Sequence, residues 1–209
     1  MLAIKNNTKL NAVILSLVLF SGLVYWIFTI TQTKNNFKEP VVYTLSDEKV
    51  LNPINAYKTI LLKKDSVVNG FFNPGFTKHK WWIYLNVPSQ VGDYLQIANP
   101  HINKIRIYTI HNEQPLLAYE SGDYFKFSKR VLSDPDFWFQ IPSLTSGLLV
   151  EVDKKGESLD LPIRLVAERE MTQYLFDEKM AYGIFTGWMI FLILLNLFLW
   201  ASLRDNIHF

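Results

Sequence analysis

Two closely spaced carboxylate pairs, Asp134 with Asp136 and Glu151 with Asp153, are the residues whose types and spacing could carry acid–base chemistry. Glycoside hydrolysis needs two carboxylates flanking one bond. Pairs like these on a turn or a strand are far more often solvated surface charges, so no catalytic residue is assigned. His79, His101 and His111 lack the i, i+4 spacing or local clustering that makes a metal site specific. There is no cysteine, which excludes disulfides, thiolate metal centres and thiol catalysis together. No metal and no cofactor is expected.

Binding has more to stand on. In the segment WWIYLNV, two-residue periodicity puts Trp81, Ile83, Leu85 and Val87 on one face and Trp82, Tyr84 and Asn86 on the other. If the first set is core, Trp82 and Tyr84 form an aromatic pair on the opposite face. Rings beside amides and charges suit a sugar or small amphipathic ligand, stacking on its C–H surfaces while polar groups bond its hydroxyls. A one-residue change of frame would exchange the two faces. Tyr108, Asp123 and Arg130 complete the ligand-binding candidates.

A third set lies in the apolar stretch 180–203, MAYGIFTGWMIFLILLNLFLWASL, which contains no charged residue. A helix of about 20 largely apolar residues spans a hydrocarbon core. Tyr182, Trp188 and Trp200 stand towards its ends, where amphipathic rings favour the headgroup region. Gly183 and Gly187 form a GxxxG that permits close helix approach, and Asn196 is an amide that gains from a partner across an interface. These three residues mark a helix-packing surface, shared with further transmembrane helices or with a second copy in a homodimer.

The elements that must position these residues are short strands. Alternating runs at 41–45, 57–62, 81–87, 94–98, 104–108, 116–120, 137–141, 148–153 and 162–166, with Ile105 and Ile107 opposing Lys104, Arg106 and Tyr108, are separated by turn signals such as Asn52-Pro53, Asn73-Pro74-Gly75, Asn99-Pro100, Ser121-Gly122-Asp123 and Lys155-Gly156. The fold expected is mainly β, an antiparallel jelly-roll-like β-sandwich. Its core rests on apolar burial, to which an aromatic content of 15% contributes large side chains. A second uncharged run, residues 12–30, follows Lys5 and Lys9. It is a signal peptide or, as its length favours, an uncleaved signal-anchor helix.

The expected organisation is residues 1–33 as signal anchor or signal peptide, 34–170 as an extracytoplasmic sandwich, and 171–209 as a juxtamembrane segment with a transmembrane helix. Lys5 and Lys9 stay inside by the positive-inside rule, so the sandwich lies outside and Arg204 returns to the cytoplasm. A net charge of +2 with interspersed signs gives no nucleic-acid surface.

Several stretches in this order resemble one family: KWWIYLNV, LQIANPHINKIRIYTI, SGDYFKFSKRV with Gly122, Asp123 and Arg130, FWFQIP, and YGIFTGWMIFLILLNLFLWASLRD. They are similar to the bacterial seven-transmembrane receptors with diverse intracellular signalling modules, specifically their second type of extracellular domain followed by the first receptor helix. The resemblance implies a sensor domain in the periplasm or outside the cell, anchored in the bacterial inner membrane. It further implies a carbohydrate or other small ligand, and a membrane bundle joined to a cytoplasmic kinase, cyclase or DNA-binding module. On this reading the chain is the N-terminal part of such a receptor and not itself an enzyme. A membrane-anchored carbohydrate-binding or adhesion module is the alternative.

Overall fold

The computed structural model describes residues 20, 22, 37–63, 67–87, 93–143 and 145–204. It forms two compact units, Asn36–Met171 and a second made of Met1–Asn35 with Thr172–Phe209. The apolar run 12–30 lies outside the described residues except for Phe20 and Gly22, which are helical.

The first unit is an antiparallel β-sandwich, as its turn-punctuated alternation predicts. One sheet has six strands in the order β2 (Val67–Asn69), β1 (Val41–Asp47), β4 (Lys80–Asn86), β9 (Gly147–Asp153), β6 (Lys104–His111) and β7 (Gln114–Ser121). The other has four, in the order β3 (Phe71–Phe76), β10 (Ser158–Val166), β5 (Tyr94–Ile97) and β8 (Phe137–Gln140). Ile83 and Leu85, Ile105 and Ile107, and Leu148, Val150 and Val152 meet Leu95, Ile97, Phe137, Phe139, Ile163 and Leu165 in the main core. Trp81 is partly buried against this cluster. The β4 frame therefore stands as the alternation gives it.

The expectation of a strand over 57–62 is corrected. Those residues belong to helix α1 (Pro53–Lys63). Asn52 caps it, its Oδ1 accepting the Asn55 N–H at 2.8 Å, and Pro53 occupies the first helical position, where its missing N–H costs nothing. The Asn-Pro pair thus starts a helix. Ala56, Tyr57 and Ile60 then fall on one buried face, as helical spacing requires.

Helix α2 (Glu168–Arg204) follows β10 after Ala167. Its first N–H groups would be orphaned, but Asp93 Oδ2 accepts the Glu168 N–H at 2.9 Å. Within the candidate span Glu168–Phe198, the qualifying 18-residue window has a mean hydropathy of 1.9, and none of that window is buried. It is the one helix among the described residues long and apolar enough to cross a membrane.

Candidate functional site

The outer face of the six-stranded sheet is where the sequence places an exposed aromatic pair. Trp82 and Tyr84 do point to that face, but they are only 1% and 8% exposed. The expectation that they are free is corrected: α1 covers them, and with Tyr108, Ile110, Leu149, Ala56, Tyr57 and Ile60 they make a second core. The Tyr57 and Tyr84 rings meet edge to face at 5.4 Å, and Trp82 and Tyr108 lie 5.9 Å apart. Apolar burial drives this layer together, and each ring's polar tip must then find a partner. The Trp82 indole N–H donates to Asp47 Oδ2 at 3.0 Å, while Asp47 Oδ1 accepts the Leu51 N–H at 2.7 Å. The Tyr108 hydroxyl donates to Glu151 at 3.3 Å. Burial pushes both phenols up to about 12; Tyr57 adds to the effect at Tyr84, and the Glu151 charge adds to it at Tyr108.

Beyond the aromatic layer the same face is closed by an ionic ladder. Lys80 on β4 pairs with Glu151 on β9 at 2.8 Å, Arg106 on β6 bridges Glu151 at 3.3 Å and Glu120 on β7 at 2.8 Å, and Lys104 adds a contact to Glu120 at 2.9 Å. Arg106 and then Lys104 hold the Glu120 carboxyl below the usual carboxylate range. Glu151 is thus a strut held by three neighbours, and Asp153 sits at the edge of the ladder, 3.9 Å from Lys80.

Asp123 and Arg130, paired in the sequence reading only as candidates, are brought together. Arg130 is the hub of the β7–β8 loop. Its Nη1 donates to the carbonyls of Asp134, at 3.0 Å, and Pro135; its Nη2 donates to the Pro100 carbonyl and the Asp123 carboxylate, at 3.3 and 3.4 Å. Its guanidinium also lies over the rings of Phe137, at 4.2 Å, and Phe127, at 4.8 Å. Asp134 Oδ1 accepts from the Asp136 N–H and the Trp138 indole, at 2.9 and 3.1 Å. Asp136 in turn accepts from buried Gln96 at 2.9 Å, and burial followed by the nearby Asp134 charge raises its carboxyl above the usual range. Gly122 has φ 134, and a side chain there would strike the Asn103 backbone, so this turn requires glycine.

The loop so fixed carries two aromatic residues the sequence reading did not single out. Tyr124 is 73% exposed and Phe127 53%. Their signal lay in the string SGDYFKFSKR, where rings fall between turn residues and basic residues and not in a strand frame. His101 joins the same end, with Nδ1 3.9 Å from Asp123. No group of three His, Asp or Glu able to hold a metal occurs among the described residues.

The loop enters β8 at Phe137, which pairs with Ile97. The other end of β8, at Gln140, pairs with Tyr94, which pairs in turn with Val166 just before α2. The β7–β8 loop and the start of α2 therefore lie at opposite ends of this strand. On α2, a Cβ added at Gly183 or Gly187 meets nothing within 4 Å. Asn196 donates its amide to the Leu192 carbonyl at 2.8 Å, one turn back.

Residues 60–167, from the last turn of α1 through β10, match the family model 7TMR-DISM extracellular 2. The chain belongs to this family. The sandwich is accordingly the extracellular sensor region of a seven-transmembrane receptor, and the apolar helix α2 follows where that match ends. No curated protein matches the sequence. Among solved structures, the fold has a loose likeness to one described as the X-ray structure of GH31 CBM32-2 bound to GalNAc. It has 10% identity over 45% of this chain and 67% of the other, with a TM-score of 0.31. A likeness so loose carries no functional conclusion.

Proposed function

We propose that the chain is the ligand-sensing part of a bacterial envelope receptor. In this reading residues 34–170 face the periplasm or the exterior, 1–33 anchor or direct the chain, and 171–209 carry the first helix of a bundle that controls a cytoplasmic signalling module. A carbohydrate or other small ligand docks on the β7–β8 loop. The observation that carries this is the exposure of Tyr124 and Phe127 on a loop that Arg130 fixes through four acceptors. Exposed rings on a preorganised loop lose little entropy on binding.

Occupancy passes to the membrane because Ala167 alone separates β10 from α2. A ligand shifts the helix only by binding two receptor states with different affinity. Gly183, Gly187 and Asn196 then serve to pack α2 against other helices, since glycines facing open space leave room for a neighbouring backbone. Two manipulations of the receptor test this. Tyr124→Ala with Phe127→Ala abolishes the ligand response, and a long Gly/Ser insertion at Arg169–Met171 uncouples it while leaving binding intact. A response unchanged by the insertion refutes signalling through the tether and favours a passive anchored module.

A further inference from the structure

A cavity of about 600 Å³ lies beside β1, remote in sequence from the β7–β8 loop and lined by β1, the β1–α1 loop, the end of α1 and Trp81. Its volume falls within the range of sites that enclose small molecules, about 300–1,000 Å³. Leu51 and the edge of Ile60 supply apolar wall, and Thr59 lines it with a hydroxyl that already donates to the Asn55 carbonyl and so is left as an acceptor. Lys49 and Lys63 stand at it against the single acidic side chain Glu48. Neither lysine has an ion-pair partner among the described residues, so both ammonium groups are available to an anion.

The wall is also built at a conformational cost. Val50, between Lys49 and Leu51, has φ 54 and is 82% exposed. A β-branched residue in the left-handed region is strained, and a side chain so exposed does not offset that by packing. What the conformation achieves is the placement of its two neighbours along the cavity, with Leu51 pinned through its N–H to buried Asp47. Strain held by a buried anchor next to a concave site is the pattern of a site, more than of a casual turn.

We propose that this cavity is a second binding site, for a small hydroxylated carboxylate of about the size of an acidic monosaccharide. Lys49 and Lys63 take the carboxylate, and Leu51, beside the edge of Ile60 that reaches the cavity, takes the apolar face. Charge-assisted bonds to two ammonium groups select the acid over its neutral counterpart.

The test is titration calorimetry of the full chain in detergent micelles with glucuronate, galacturonate, gluconate and quinate, and with glucose and galactose as neutral counterparts. At least one acid binds, the neutral sugars bind about tenfold or more weakly, and Lys49→Ala and Lys63→Ala each raise Kd about tenfold, the equivalent of about 1.4 kcal/mol. Added salt weakens binding, and Tyr124→Ala leaves it unchanged. Thermal melts of the lysine variants matching the parent show that both fold. Binding of none of the four acids, equal binding of acid and neutral sugar, or full affinity in the double lysine variant overturns the proposal. Loss of acid binding in Tyr124→Ala also overturns it, and moves the acid to the β7–β8 loop without touching the receptor reading.

Discussion

Asp47 joins the two parts of the molecule that the sequence left apart, the buried indole of Trp82 and the strained loop before α1, and its replacement by alanine is the sharpest test of that junction. The Trp82 N–H is buried and has Asp47 Oδ2 as acceptor at 3.0 Å; leaving such a donor without a partner costs about 1–3 kcal/mol. The Leu51 N–H, bonded at 2.7 Å and partly exposed, adds about 0.5–1.5 kcal/mol. Asp47→Ala therefore destabilises the sandwich by about 2–4 kcal/mol. Trp82→Phe removes the donor instead of the acceptor, so the double variant loses less than the two single losses together, by about 1–2 kcal/mol. Urea unfolding of the full chain in micelles, followed by near-ultraviolet circular dichroism, measures all three. A loss below about 0.5 kcal/mol for Asp47→Ala, or strict additivity in the cycle, refutes the junction.

Three other outcomes follow from the same structure. Tyr84 and Tyr108 keep their protons up to about pH 12, whereas the unfolded chain releases them near 10.0, so the stability these two groups contribute is fully present below pH 10.0, falls between there and about pH 12, and is gone above, where the dependence levels off. Absorbance titration of tyrosinate and the unfolding midpoint show this together, and Tyr84→Phe with Tyr108→Phe flattens the fall; two tyrosines titrating at ordinary pH contradict it. Gly147→Ala drives a Cβ to 2.7 Å from the Tyr84 ring and 2.9 Å from the Leu85 carbonyl, costing about 1–3 kcal/mol in the same unfolding assay; an unchanged midpoint counts against the register of β4 with β9. Arg130→Lys keeps the charge but cannot span four acceptors, so hydrogen exchange speeds up through the β7–β8 loop while the strand cores stay protected; equal protection everywhere refutes Arg130 as the hub.

The sandwich was legible because its determinants are local. Alternation in β4, β6 and β9 names the inter-sheet core correctly, and an uncharged run of membrane length announces part of α2 by composition alone. What covers the outer face was not legible. YKTILL satisfies a strand period as well as a helical one, and only the Asn52 cap decides, a signal that reads equally as a turn. Asp47 is a routine surface aspartate in sequence; 35 positions separate it from the indole it holds. Asp123 and Arg130 were visible as charged residues near a glycine turn, but the exposed rings of Tyr124 and Phe127 are found only by measuring what packing leaves uncovered.

With Trp82 and Tyr84 buried under α1, the proposed ligand site lies at the sheet rim and not on the sheet face. Opening the face over Trp82 and Tyr84 means lifting α1 and exposing two large aromatic side chains at about 1.5–3 kcal/mol each, together with the Ala56, Tyr57 and Ile60 side that matches them. The neighbouring part of the face is held by Glu151, whose release from Lys80, Arg106 and Tyr108 strands a buried charge. A small ligand with micromolar affinity has about 8 kcal/mol in total to spend, and most of it would go into that opening. The end loop and the β1 cavity need no such rearrangement. Of the two, the loop has β8, then β5 and then β10 leading from it to Ala167, so a shift of a few tenths of an ångström at Phe137 has a packed route across the sheet to the start of α2. Substituting Phe137 by leucine keeps the core apolar but removes the ring on which Arg130 rests, and should separate ligand affinity from response if that route is used.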